Sequence, residues 1–105
     1  MKVAIASRGN SLESKLDKSF GRCNFFVLYD TESKLVEFIS NPNKDEEERA
    51  GSKSVQLIYT RNAKKIISGD FGLRIKPLLD SLKIQLIVLK NTDKTINQII
   101  ELLNH

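Results

Sequence analysis

Cysteine is nearly absent from this 105-residue chain, and the absence is informative. A single thiol, Cys23, cannot close an intrachain disulfide, so the fold does not rest on an oxidising compartment. No apolar run approaches the roughly 20 residues that a membrane-spanning helix needs. No cationic segment followed by an apolar stretch opens the sequence, so no secretory signal is expected, and a cytoplasmic protein without membrane association is. No long block of Lys or Arg occurs, and the net charge of +4 is only mildly basic. Such a charge admits an anionic ligand without requiring nucleic acid. The densest charged stretch, Lys44-Asp45-Glu46-Glu47-Glu48-Arg49, is mostly acidic and reads as a solvated loop or the first turn of a helix.

Other absences bear on chemistry. Two-metal phosphoryl hydrolysis needs several carboxylates gathered around its metals. The first apolar run, Val3 to Ala6, carries no acid; Asp70 stands alone, and Asp17 and Asp30 have no evident shared site. Asp70 reads instead as ordering its own turn. No glycine-rich dinucleotide or Walker sequence follows the first strand. Nucleophilic catalysis through Cys23 lacks an imidazole, because the one histidine is His105. No cluster has the spacing of a structural zinc site. The run Phe26-Val27-Leu28-Tyr29 resembles the tail of a ribonucleoprotein motif, but Cys23, Asn24 and Phe25 stand where glycine, an aromatic and a small residue are wanted. These readings point away from an enzyme and from nucleic acid.

What is present begins with Phe20-Gly21-Arg22-Cys23, at the entrance to the apolar run Phe25 to Tyr29. Glycine lets a backbone approach a ligand closely, arginine offers a fork of donors to an anion, and a thiolate binds soft metals and iron–sulfur clusters. Cysteine also behaves as a small buried hydrophobe, and glycine before a strand also makes an ordinary turn. Both readings stand on sequence alone.

The remaining pattern predicts five strands: Lys2–Ser7, Asn24–Asp30, Leu35–Ser40, Lys64–Ser68 and Gln85–Leu89. Arg8 to Ser19 reads as loop. A helix from about Ala50 to Thr60 turns Val55, Ile58 and Tyr59 inward. A second helix ends near Leu82 with Pro77 at its start, since an interior proline costs about 3 kcal/mol. A third, capped by Thr92, carries the stripe Ile96, Ile99, Ile100 and Leu103. The order β-β-β-α-β-α-β-α fits one α/β domain over 1–105 with three helices. A short link joins strands two and three as a hairpin, and right-handed crossovers join the later strands. The result is a five-stranded mixed sheet of order 3-2-1-4-5 with strand 2 antiparallel, the ribonuclease H-like motif. In that topology Ser7–Asn10, Phe20–Cys23, Asn41–Asn43 and Gly69–Gly72 converge at one sheet edge, where open α/β sheets bind ligands.

Met1 to Ala6, then Phe20-Gly21-Arg22-Cys23-Asn24-Phe25-Phe26, Asn41-Pro42, Ala50-Gly51 and Gly69-Asp70-Phe71-Gly72 make the chain similar to the dinitrogenase iron–molybdenum cofactor biosynthesis family, the small NifX-like domain. The resemblance spans nearly the whole chain. It implies the same ribonuclease H-like motif and a non-enzymatic module that carries an iron–sulfur or iron–molybdenum cofactor precursor. Cys23 would then be the metal ligand. Arg8 and Arg22 would neutralise charge, Gly9, Gly21, Gly69 and Gly72 would line the pocket beside Phe20, and Ser19 and Asn41 would stand at its rim. The histidine that cofactor carriers often place directly before Phe-Gly is Ser19 here, which argues against tight binding of the finished cofactor. One thiolate cannot fill an ordinary cluster, so a cluster would be held with exogenous ligands, at a dimer interface, or weakly. Partners would be other cofactor-assembly proteins, and the chain a monomer or weak homodimer. The alternative is a small regulatory or protein-interaction domain that keeps the fold without metal.

Overall fold

Alternating apolar residues in the first strands sort themselves onto two opposite sheet faces in a computed structural model, which describes residues 1–104. The expectation attached to His105 lies outside the described residues. Strand β1 (Lys2–Ser7) sends Ala4 and Ala6 to one face and Val3 and Ile5 to the other. Its antiparallel neighbour β2 (Phe25–Asp30) does likewise with Phe26 and Leu28 against Val27 and Tyr29. Strands β3 (Val36–Ser40), β4 (Ala63–Ser68) and β5 (Gln85–Val88) complete a sheet of order β3-β2-β1-β4-β5. β4 runs parallel to both β1 and β5, whereas β2 opposes β1 and β3. This is the mixed sheet expected of the sequence, and the strand ends agree with expectation to within a residue.

Helices cover both faces. On one lie α1 (Ala50–Thr60) and α2 (Lys76–Leu82), whose Val55, Ile58 and Leu79 pack with Phe20, Cys23, Phe26 and Ile66. On the other lies α3 (Ile96–Leu103), seated through Ile96, Ile99 and Ile100 on Val3, Ile5 and Tyr29. Each fully buried isoleucine of this kind contributes about 1.5–3 kcal/mol. No described helix is long and apolar enough to cross a membrane.

Two local expectations, the α3 cap and the inward Tyr59, are corrected, and two others, the second helix start and the Arg8–Ser19 loop, are met with added detail. Thr95, not Thr92, caps α3: its hydroxyl accepts the Gln98 N–H at 3.2 Å, and the Gln98 side chain accepts the Thr95 N–H. That is a reciprocal capping box, for which Thr92 lies too early. The second helix opens as a 3-10 turn over Leu73–Ile75 before α2, with Pro77 at its start, where no amide donor is needed. Tyr59 is exposed, because the inward face of α1 runs through Ala50, Ser54, Val55 and Ile58. Within the loop Arg8–Ser19, Leu16 is wholly buried as a plug, pinned by bonds from its N–H to Lys94 and from Asp17 N–H to Ala6.

Candidate functional site

Two glycines bring the sheet edge and a helix start into contact. A methyl group on Gly21 would lie 2.8 Å from both the Cα and the N of Gly51, and one on Gly51 would lie 2.8 Å from Ile75 Cγ2. The loop before β2, the first turn of α1 and the 3-10 turn therefore press together as no larger residues could. Gly21 is fixed further by its carbonyl, which accepts from both Asn41 Nδ2 and Ser54 Oγ at 3.0 Å. Asn41 also donates to the Cys23 carbonyl at 2.9 Å, and its own Oδ1 accepts from Asn43 N–H. Asn41 is almost wholly buried, so it acts as a keystone under the loop rather than at a rim.

Above this contact opens a cleft of about 850 Å³. Its walls are Lys18–Arg22, Arg49–Ser52 and Asp70–Ile75. Four cations, Lys18, Arg22, Arg49 and Arg74, face one carboxylate, Asp70. Asp70 is partly committed, since its Oδ1 accepts the Phe71 N–H at 2.7 Å, the turn-ordering role expected from sequence. The first bond within α1 is Lys53 N–H to the Arg49 carbonyl, and no side chain caps the helix. Among the described residues the Ala50, Gly51 and Ser52 amides thus have no protein acceptor, and they border the cleft. Uncapped amides and the helix dipole favour an anion at this place. Arg49 enters the helix in the left-handed region, at φ 61° and ψ 23°, an uncommon conformation for a residue with a side chain.

Arg22 stands on the wall between the cleft and the acidic segment. Its Nη1 donates to the Glu46 carbonyl and its Nη2 to the Glu47 carbonyl at 3.3 Å. Lys53 pairs with Glu46 at 3.1 Å, holding the same segment from the helix side. As expected, the acidic stretch is loop; none of its carboxylates enters the first turn of α1.

The predicted site residues divide. Ser19, Phe20, Gly21, Arg22 and Gly72 line the cleft. Phe20 is nearly buried and packs against Phe26 as a tilted pair, 5.1 Å between ring centres, so it contributes floor more than contact. The four glycine-bearing and polar loops do meet: Asn24 Nδ2 donates to the Arg8 carbonyl, and Ser19 bridges to Asp70. Arg8 and Gly9 nonetheless lie outside the cleft wall, because Gly9 is folded over Ser14, whose Oγ sits 2.6 Å from where a Cβ would be. Gly69 is buried under Thr92 and Lys18 and serves packing. Lys18, Arg49 and Arg74 were not marked by any motif; each is a lone cation brought in by the fold.

Cys23 is placed differently from a ligand. It is wholly buried, its thiol donates to the Phe20 carbonyl at 3.3 Å, and Asn41 Nδ2 lies 4.0 Å from Sγ. Burial in the apolar core, with a lesser push from the Asp17 carboxylate, raises its pKa from 9.0 to about 12. It does not line the cleft. The thiol is thus held protonated and enclosed, away from the cleft lining. Among the described residues no three His, Cys, Asp or Glu side chains gather as a metal site.

The fold and cleft together define a small α/β module of the ribonuclease H-like type with a cationic pocket at the ligand edge of its sheet. The chain belongs to the dinitrogenase iron–molybdenum cofactor family, whose profile matches residues 1–105. Among solved structures it is similar to a Thermotoga protein provisionally described as a NifB protein of the DUF35 family, with 28% identity, TM-score 0.80, and coverage of 95% of this chain and 84% of that one. It shares its fold with the apo orange protein of Desulfovibrio gigas (22% identity, TM-score 0.88, 95% and 83% coverage). It also shares it with a Methanococcus jannaschii protein provisionally described as a dinitrogenase (24% identity, TM-score 0.63, 96% and 87% coverage). No curated protein matches the chain.

Proposed function

We propose that the protein is a non-enzymatic carrier for an anionic iron–sulfur or iron–molybdenum cofactor precursor, taken up in the cleft between the Ser19–Arg22 loop and the start of α1. The observation that carries this reading is the convergence of Lys18, Arg22, Arg49 and Arg74 with the uncapped amides of α1 around one open cavity. Family membership supports the class of cargo.

The donor set decides how such cargo would be held. The cleft offers guanidinium, ammonium and amide N–H groups and one carboxylate, Asp70, whose Oδ1 is already engaged by the Phe71 N–H, but no thiolate or imidazole. Sulfide or oxide atoms of a polyanionic cluster would accept charge-assisted hydrogen bonds, each worth about 1.5–3 kcal/mol. The metal ions would keep ligands of their own rather than exchange them for protein side chains. Attachment without coordinate bonds suits a module that must hand its cargo to another cofactor-assembly protein.

Anaerobic mixing with a preformed iron–sulfur cluster ligated by small thiolates tests the reading. Binding that weakens as salt is raised, and that survives Cys23→Ala, is the expected result. Equal retention of cluster by the parent and by Arg22→Ala/Arg74→Ala would overturn it. A second reading, a regulatory or interaction domain without metal, draws on the enclosure of Cys23. A stoichiometric protein partner captured anaerobically and indifferent to the cleft arginines would favour it.

A further inference from the structure

The walls of the cleft differ in what they offer a ligand. The Lys18–Arg22 and Arg49–Ser52 walls carry the cations Lys18, Arg22 and Arg49 and no carboxylate. They also bring the uncapped amides at the start of α1. The remaining wall, Asp70–Ile75, sets the carboxylate of Asp70 beside the cation of Arg74 and is charge-balanced. Its other side chains, Phe71, Leu73 and Ile75, are apolar. The cavity is thus two-sided, with cations and amides on one side and hydrocarbon on the other.

Packing within the chain accounts for only part of the apolar wall. Ile75 is buried against Gly51. Phe71 is half-buried and leans on the core between the sheet and the α1 and α2 helices. Leu73 is 81% exposed and joins neither core. A lone exposed leucine is ordinary on a protein surface, and Leu35, 72% exposed away from the cleft, is one. Leu73 differs because it stands on a cavity wall with Phe71 and Ile75 beside it. Small-molecule sites combine apolar walls with a few placed polar groups, and a cavity of about 850 Å³ is within their size range. An inorganic cluster with sulfide or oxide on every side would press some of those acceptors against Phe71 and Leu73. These side chains offer no donor in place of the water displaced, which is unfavourable.

We propose that the cleft takes an anion joined to a compact apolar organic group, with the charge among Lys18, Arg22 and Arg49 and the organic group against Phe71 and Leu73. The inference rests on the carrier reading above and narrows it: the ligands that the cluster's metal ions keep are organic thiolates, whose carbon chains face the Asp70–Ile75 wall. A short alkyl phosphate presents the same chemistry without metal. The cationic walls supply attraction that salt screens. The apolar wall supplies attraction that follows buried carbon area instead. It also orients the cargo, since only a carbon-bearing face suits that wall.

The test is an anaerobic titration of the full chain with two iron–sulfur clusters of the same core and charge, one capped by propyl thiolate and the other by hydroxyethyl thiolate, each in excess of its own thiol. The caps match in size and differ in a methyl against a hydroxyl. The propyl-capped cluster should bind about fivefold more tightly or better, the worth of roughly one buried methyl group. Leu73→Ser, which alters an exposed side chain, should abolish that preference. Leu35→Ser, at the exposed leucine away from the cleft, should retain it. Equal affinity for the two clusters, a preference that survives Leu73→Ser, or one lost in Leu35→Ser would overturn the proposal while leaving the carrier reading intact. Propyl phosphate without metal separates the two sources of the chemistry. If it binds with the same dependence on Leu73 while neither cluster binds, the two-sided site stands and the carrier reading falls. If neither cluster nor the phosphate ester binds, both fall.

Discussion

Cys23 gives the sharpest quantitative expectation. Its thiol is fully enclosed beside Phe20 and Asn41, and burial raises its pKa from 9.0 to about 12. The unfolded chain exposes the thiol and ionises it near 9, whereas the folded chain keeps it protonated for about three pH units more. A group raised in the folded state gives stability that is complete below its unfolded pKa and is lost as pH climbs toward the folded value. Each unit in that window costs about 1.4 kcal/mol, so the whole effect is about 4 kcal/mol. Urea unfolding at pH 8, 9 and 10, parent minus Cys23→Ala, isolates it from the other groups that titrate there. The difference should turn against the parent by about 0.4 kcal/mol from pH 8 to 9 and by about 1 kcal/mol more at pH 10. Removing the sulfur should itself cost about 1–2 kcal/mol at neutral pH through lost packing. Thiol alkylation at pH 8 should proceed only through opening of the fold. A difference that stays flat to pH 10, with rapid alkylation of the native protein, would refute the structural assignment of Cys23 and restore it as a presented ligand.

Further expectations follow from the cleft. Gly21→Ala should destabilise by about 1–3 kcal/mol, because its methyl meets the Gly51 backbone at 2.8 Å; chemical denaturation reads this. Gly72→Ala meets nothing within 4 Å, so its stability should be unchanged or raised by about 0.4–1 kcal/mol. Arg49→Gly relieves a left-handed residue with a side chain, worth about 1 kcal/mol and a rise of about 4 °C in Tm, while cluster binding weakens. Thr95→Ala removes the α3 capping box and should cost about 1 kcal/mol.

The topology was legible because the sequence alternates cleanly between strand-length apolar runs and helical stripes, so Val3–Ala6, Phe25–Tyr29 and Ile96–Leu103 each announce their element. The α3 cap was also legible: Thr95 and Gln98 stand at capping-box spacing, a stronger signal than Thr92 alone. Leu16 carried no periodicity, since a plug held by backbone bonds to Ala6 and Lys94 leaves no pattern along the chain. The site was half legible. Phe20-Gly21-Arg22 marks one wall, but the opposite wall depends on Gly21 meeting Gly51, a contact thirty positions apart that no local rule reveals. Lys18, Arg49 and Arg74 join the cleft only through that contact. Adjacency of Cys23 to Gly21 and Arg22 suggested one shared site, whereas the turn points the arginine outward and the thiol into the core.

The central claim is that the cleft holds an anion through Arg22 and its neighbouring cations rather than through the thiol. Its most direct test is an anaerobic titration of parent, Arg22→Ala and Cys23→Ala with the thiolate-ligated iron–sulfur cluster. The account predicts a roughly ten- to hundredfold loss of affinity for Arg22→Ala, from one charge-assisted contact at about 1.4 kcal/mol per factor of ten. It predicts an unchanged absorption envelope and near-parental affinity for Cys23→Ala. Unaltered affinity in Arg22→Ala together with lost binding in Cys23→Ala would contradict it.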